Sequence, residues 1–303
     1  VIPVALAIVF ATAAGVAADL RTVHARRVAE LSLGVILYGL VPFISYTGFS
    51  HLSLSLGAAA GLVLAYVGNA AAGFITWRVG MRLGLPRASL GALISTVILS
   101  NTGYFGFPVA VALLGEHALI RAVAYDQLVG APLMFTAGFA VGAAFSGRPA
   151  ASPAQRIRTF LGRNPPLWAA VAGLLAPASL APAVLVSIAH VLTEVVLVIG
   201  FTAVGIYLSS ERREDHAPLL ERPDRRVLLA MAARFGVTAP LLFLASLLGV
   251  SIPTVFILEA AAPSAISALL IGHAYGLDQR LAATVIVWTT LTAAVVATAI
   301  SLV

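Results

Sequence analysis

Two short stretches hold most of the chemistry that this apolar chain can offer. The first is Ser100-Asn101-Thr102-Gly103-Tyr104-Phe105-Gly106-Phe107-Pro108, inside the apolar run 88–114. The second is Glu259-Ala260-Ala261-Ala262-Pro263-Ser264-Ala265-Ile266-Ser267, inside the run 254–275. Glycine and proline are poor helix-interior residues, so each stretch reads as a break in a helix. A break frees backbone N–H and C=O groups, which lipid tolerates only where they line a cavity or are buried in protein. Half-helices that start at Pro108 and Pro263 would aim their N–H groups at the break, since proline suits the first helical turn. Two such N-termini, each carrying roughly half a positive charge, favour an anion such as a carboxylate without any basic side chain. The half-helices before the breaks end in free carbonyls, which favour a cation.

The polar side chains at the breaks are Asn101, Thr102 and Tyr104, then Ser264 and Ser267. Tyr104, Phe105 and Phe107 can wall an apolar substrate body or pack against neighbouring helices. Glu259 lies one turn before Pro263, where a carboxylate is expensive and marks a proton or Na⁺ role, or else a hydrogen-bonded structural acid. Asn69 sits halfway along its run and either contacts the site or bridges two helices. Asp126 and Gln127 start the run 123–145, near the outer side, and either support the break region or are solvated there. His190 and Glu194 share a helix face at i,i+4 and read as a structural pair before a relay. Arg234 reads as a side chain that snorkels towards the cytoplasm and takes no part. No three of the ionisable residues have metal-site spacing, and no nucleotide-binding or hydrolase signature occurs. Neither a cofactor nor catalysis is expected; the coupling ion would be H⁺ or Na⁺.

The elements that must position these residues follow from composition. Of 303 residues, 60% are hydrophobic and only 10% charged, against about 25% charged in soluble domains. The chain is therefore an all-α integral membrane protein in the lipid bilayer. Its ten apolar runs, near the length needed to span, are 4–18, 31–50, 54–77, 88–114, 123–145, 166–180, 183–208, 227–248, 254–275 and 281–303. The sequence pI near 10.3 is no nucleic-acid signal, because the arginines sit in short loops. Sixteen of the 18 basic residues, all arginine, fall in the odd-numbered loops; the others are Arg121 and Arg234. The positive-inside rule makes those loops cytoplasmic and both termini external. There is no cysteine, hence no disulfide or thiolate site. The chain opens directly on an apolar run without a basic leader, so no cleavable signal peptide is expected, and the absent initiator Met points to a trimmed start.

The most polar interior loop divides the chain into residues 1–146, a cytoplasmic linker 147–163, and residues 164–303. Each part holds five runs. An odd number means that the second half enters the membrane in the opposite sense, which is the inverted-repeat plan of many secondary transporters. The fourth run of each half carries the mid-span proline, Pro108 and Pro263, so two broken helices are expected to cross.

The stretch Asn101 to Pro108, followed by Leu114-Gly115-Glu116, resembles the auxin efflux carrier family, whose fourth span has an Asn, a Gly five residues on and a Pro seven on. Ala262-Pro263 and Tyr275-Gly276-Leu277-Asp278 resemble that family's late motif. The resemblance implies a carrier of organic anions, malate-like or auxin-like acids among them. The fold implied is that of bile acid–sodium symporters and plant PIN-type exporters, a scaffold domain and a transport domain that moves as an elevator. It also implies that Asn101 binds the substrate carboxylate and that Pro108 and Pro263 mark the breaks. A homodimer through the second and seven spans is implied as well, where Pro42, Gly200 and Gly205 stand. Na⁺ near Glu259 stays open by analogy with the bile-acid branch, and the long central loop of the plant exporters is absent.

Overall fold

The computed structural model describes residues 2–51, 55–115, 117–145, 152–162, 165–214 and 222–300. Fourteen helices account for most of them: α1 Ile2–Arg21, α2 Ala25–Val35, α3 Val41–Ser50, α4 Leu56–Arg82, α5 Arg87–Ile98, α6 Thr102–Leu114, α7 Ala118–Phe145, α8 Pro153–Gly162, α9 Pro165–Leu175, α10 Ala183–Glu214, α11 Arg225–Leu247, α12 Thr254–Ala260, α13 Ser267–Tyr275 and α14 Gln279–Ile300. Each of the ten apolar runs is helical over most of its length, and four helices, α4, α7, α11 and α14, are long and apolar enough to cross a membrane. Glu116, most of the linker's ends and the side chains of His190 and Glu194 lie outside what is described. The linker itself is not all loop, since α8 occupies 153–162.

The two halves of the sequence interleave. α1 lies along α10, α3 against α9, and α4 between α5 and α11. Glycine lets α1 and α10 approach to backbone contact: a Cβ on Gly15 would stand 2.0 Å from the Thr202 carbonyl oxygen, and one on Gly205 2.0 Å from that of Thr12. Gly205 is thus spent on contact within the chain. α5 is buried along its whole length from Ser89 to Ile98, as a helix that is apolar all round should be.

Several turns share one face. The Arg87 guanidinium donates to the Ala144 carbonyl (2.6 Å), the Ser89 hydroxyl to Asp278 (2.7 Å), and Arg226 lies 4.0 Å from the same carboxylate. The starts of α5, α11 and α14 and the end of α7 therefore gather on one side. Each of these helix ends adjoins an odd-numbered, arginine-bearing loop of the sequence. The late motif is the corner of this face: Gly276 closes α13 at φ +68, a left-handed cap, and Asp278 accepts from Leu281 N–H (3.0 Å) to open α14.

Two apolar segments are interrupted, and their interruptions meet. α5 stops at Ile98, Leu99 is extended, and α6 begins at Thr102. α12 stops at Ala260, and α13 begins at Ser267. Across the gap Ser100 and Ser264 form an antiparallel bridge, with Asn101 N–H donating to Pro263 O (2.7 Å) and Ala265 N–H to Leu99 O (2.9 Å). The unwound backbone thus satisfies part of its hydrogen bonding reciprocally, as it must away from water.

Candidate functional site

The half-helices start away from the prolines. α6 begins at Thr102, six residues before Pro108, and α13 at Ser267, four residues after Pro263, so the expectation that each starts at its proline is corrected. The reason lies in the first turn of α6, which is a wide π turn over Thr102–Gly106. A proline ring clashes with the carbonyl four residues back in a regular helix, and a π turn moves that carbonyl aside. Pro108 therefore sits inside α6. Pro263 forms part of the bridge, where its carbonyl is used and its missing N–H costs nothing.

Asn101 occupies the cap of α6. Its Oδ1 accepts from Tyr104 N–H at 3.3 Å, which fixes the amide's orientation. Its Nδ2 has no acceptor among the described residues, in a side chain that lines a cavity of about 380 Å³. Both half-helix N-termini open on the same cavity, through Thr102, Gly103 and Tyr104 on one side and Ile266 and Ser267 on the other. The backbone N–H groups of Thr102, Gly103, Ile266 and Ser267 make no backbone hydrogen bond among the described residues outside their own helices. Met134, Phe135 and Leu270 supply an apolar wall, and no basic side chain lines the cavity among the described residues.

Asp126 and Gln127 belong to this cavity rather than to the outer end of a span. α7 starts at Ala118, eight residues earlier, which sets Asp126 about 12 Å into the helix at 1.5 Å per residue. Asp126 accepts from the Thr102 hydroxyl and, at 2.7 Å, from the Gln127 amide. The backbone of α7 makes room for this pair at Gly130, where a Cβ would stand 2.9 Å from the Thr102 hydroxyl oxygen and 3.0 Å from Asp126 Oδ1. The exposed Glu30, which pairs with Arg26 at 3.7 Å, also borders the cavity and carried no signal in the sequence reading.

Other expected site residues lie behind the cavity. Phe105 is buried edge-on to Phe201 with centroids 5.9 Å apart, so it walls no substrate. Tyr104 does line the cavity and leans on α10, where Gly200 makes room: a Cβ there would stand 3.2 Å from Tyr104. Pro108 and Ser264 are buried, and Ser264 N–H donates to the Thr289 hydroxyl (3.2 Å). Ser267 lines the cavity. Glu259 is fully buried and does not line it; its carboxyl lies against Gly106, where a Cβ would stand 2.0 Å from Oε2. Neither Glu259 oxygen has a hydrogen-bond partner among the described residues. An unbonded buried polar group of this kind costs about 1–3 kcal/mol.

The largest departure from the sequence reading is Arg234. It does not snorkel: it is 0% exposed. Its Nε donates to Ala262 O (2.9 Å), Nη1 to Val97 O (2.9 Å) and Asn69 Oδ1 (3.3 Å), and Nη2 to Ala260 O (2.7 Å) and the Ser100 hydroxyl. Asn69 therefore serves Arg234 and not the cavity, and is itself held by donating to Ala65 O (2.8 Å). The signal that could have found Arg234 was present. The breaks leave carbonyls that need a cation, and Arg234 is the one basic residue inside an apolar run.

No family model matches the chain. A stretch of 113 residues, 37% of the chain, is 29% identical to an uncharacterized transporter of Methanothermobacter thermautotrophicus. The match spans 35% of that relative's length.

Proposed function

We propose that this protein is a secondary transporter of small organic anions. One observation carries the reading: a cavity of about 380 Å³ gathers the Asn101 amide and two half-helix N-termini around one place, with an apolar wall opposite. Backbone N–H groups and helix dipoles suit a carboxylate, and the wall suits a short carbon skeleton. The volume fits a small acid better than a bulky amphipathic one. Similarity to an uncharacterized transporter supports transport in general, and the resemblance of residues 101–108 to organic-acid carriers supports the substrate class. α4, α5, α11 and α12 are tied together through Arg234, and such a body would carry the cavity past α1, α3, α9 and α10 in an elevator-type movement.

The test is binding of mono- and dicarboxylates to the purified protein. Asn101→Ala removes one hydrogen bond to a charged group, about 1.5–3 kcal/mol, so affinity falls roughly tenfold to a hundredfold. Unchanged affinity in a folded Asn101→Ala variant would remove the carboxylate from this place.

A further inference from the structure

Arg234 is a cation held in a cage of oxygens. The guanidinium has five N–H donors and the cage offers five acceptors: the Val97, Ala260 and Ala262 carbonyls, Asn69 Oδ1 and the Ser100 hydroxyl. Two of these, from Val97 and Ala260, are carbonyls at the ends of α5 and α12, where each interrupted helix presents its negative pole, and the Ala262 carbonyl lies two residues beyond α12. No acidic side chain stands within ion-pair distance of Arg234 among the described residues. The positive charge is thus balanced by two helix C-termini and not by a counter-ion. A cage of backbone carbonyls at half-helix ends is what a transported Na⁺ requires in broken-helix transporters. The surroundings make the alternative costly, because the four buried oxygens from Asn69, Val97, Ala260 and Ala262 would each forfeit a hydrogen bond.

We propose that Arg234 is the resident cation of the helix junction. It occupies covalently the position that an exchangeable Na⁺ would otherwise fill, and so makes the junction independent of sodium. The side chain is anchored on α11 and cannot leave, so its charge does not cross the membrane as a separate ion. It holds the Ser100–Ser264 bridge and Asn69 in one arrangement whether or not substrate is present. Ser100 accepts from Arg234 and also borders the cavity, so the same charge positions the substrate end of the junction. The inference deepens the transport reading and rests on it for its meaning in coupling, but its test needs no organic acid.

The measurement is thermal unfolding of the purified protein in detergent, with NaCl compared against KCl and choline chloride at equal ionic strength. The wild-type midpoint should be the same in all three salts. A rise specific to Na⁺ would overturn the proposal whatever the variants do. Arg234→Ala should lower the midpoint by several degrees, and guanidinium chloride below denaturing concentrations should restore part of the loss, while lowering or leaving unchanged the wild-type midpoint. Arg234→Lys, which keeps the charge, should fall between the two. A folded Arg234→Ala variant as stable as wild type would also overturn the proposal, and so would one that guanidinium does not rescue. Loss of organic-acid binding in the wild-type protein would count against the transport reading alone.

Discussion

At the residue scale, the cavity combines donors that want an anion with an acid that does not. Asp126 stands beside the N–H groups of α6, hydrogen-bonded to Thr102 and Gln127. Two unit charges about 4 Å apart at an effective dielectric constant near 20 repel by about 4 kcal/mol, close to three powers of ten in affinity. On the proposed transport reading, an organic anion binds well only when Asp126 carries a proton, and the two bind as a pair. The other titratable groups nearby do not replace it: Glu30 is exposed and paired with Arg26, Glu259 is outside the cavity, and Arg234 is saturated by its five acceptors. The sign follows from linkage. If binding takes up one proton, affinity strengthens as pH falls, approaching tenfold per pH unit above the range where Asp126 of the free protein titrates. Asp126→Asn keeps an acceptor for the Thr102 hydroxyl, meets Gln127 once that amide turns its oxygen towards the new NH2, and does not titrate, so its affinity should be flat with pH. Calorimetric titration of an organic acid at several pH values checks this, and an unaltered pH slope in Asp126→Asn would take Asp126 out of the coupling.

At the element scale, prolines set the geometry without marking the helix starts. π turns at Ile36–Leu40, Thr102–Gly106 and Asp126–Gly130 are each followed, two residues on, by a proline: Pro42, Pro108 and Pro132. The break in each interrupted segment was legible, because Gly, Pro and polar residues cluster in apolar runs. Its register was not, since a proline reports the carbonyl it must avoid and not the first free N–H. Asp126 was misplaced for a related reason. Hydropathy starts a span at its first apolar run, while α7 begins earlier at Ala118. The position of Arg234 inside an apolar run is legible in the sequence, but its partners are not, because hydropathy registers the cost of a buried charge and says nothing of carbonyls supplied by residues 97, 260 and 262. The contact of α6 with α12 can be tested directly. Gly106→Ala should destabilise the protein by about 1–3 kcal/mol through overpacking against Glu259. Gly106→Ala combined with Glu259→Ala should lose much less than the two single changes added together. Additive losses would mean that the two residues do not share this contact.

At the scale of the whole molecule, the substrate end and the cation end of the junction are separated by one residue layer. Asn101 faces the cavity, and Ser100 faces both the cavity and Arg234. The membrane class and the two interruptions followed from composition and pattern. The partition of roles between Asn101, Asp126 and Arg234 required three-dimensional contacts between residues far apart in the chain. The proposed transport cycle carries a carboxylate held at Asn101 across the membrane together with a proton. Uptake of mono- and dicarboxylates into proteoliposomes under imposed pH, Na⁺ and voltage gradients tests it most directly. We expect uptake of at least one acid that an inward proton gradient drives, that replacing Na⁺ by K⁺ leaves unchanged, and that Asn101→Ala lowers roughly tenfold or more at acid concentrations below saturation. Binding without uptake of any acid, or uptake that Asn101→Ala leaves intact, would contradict it.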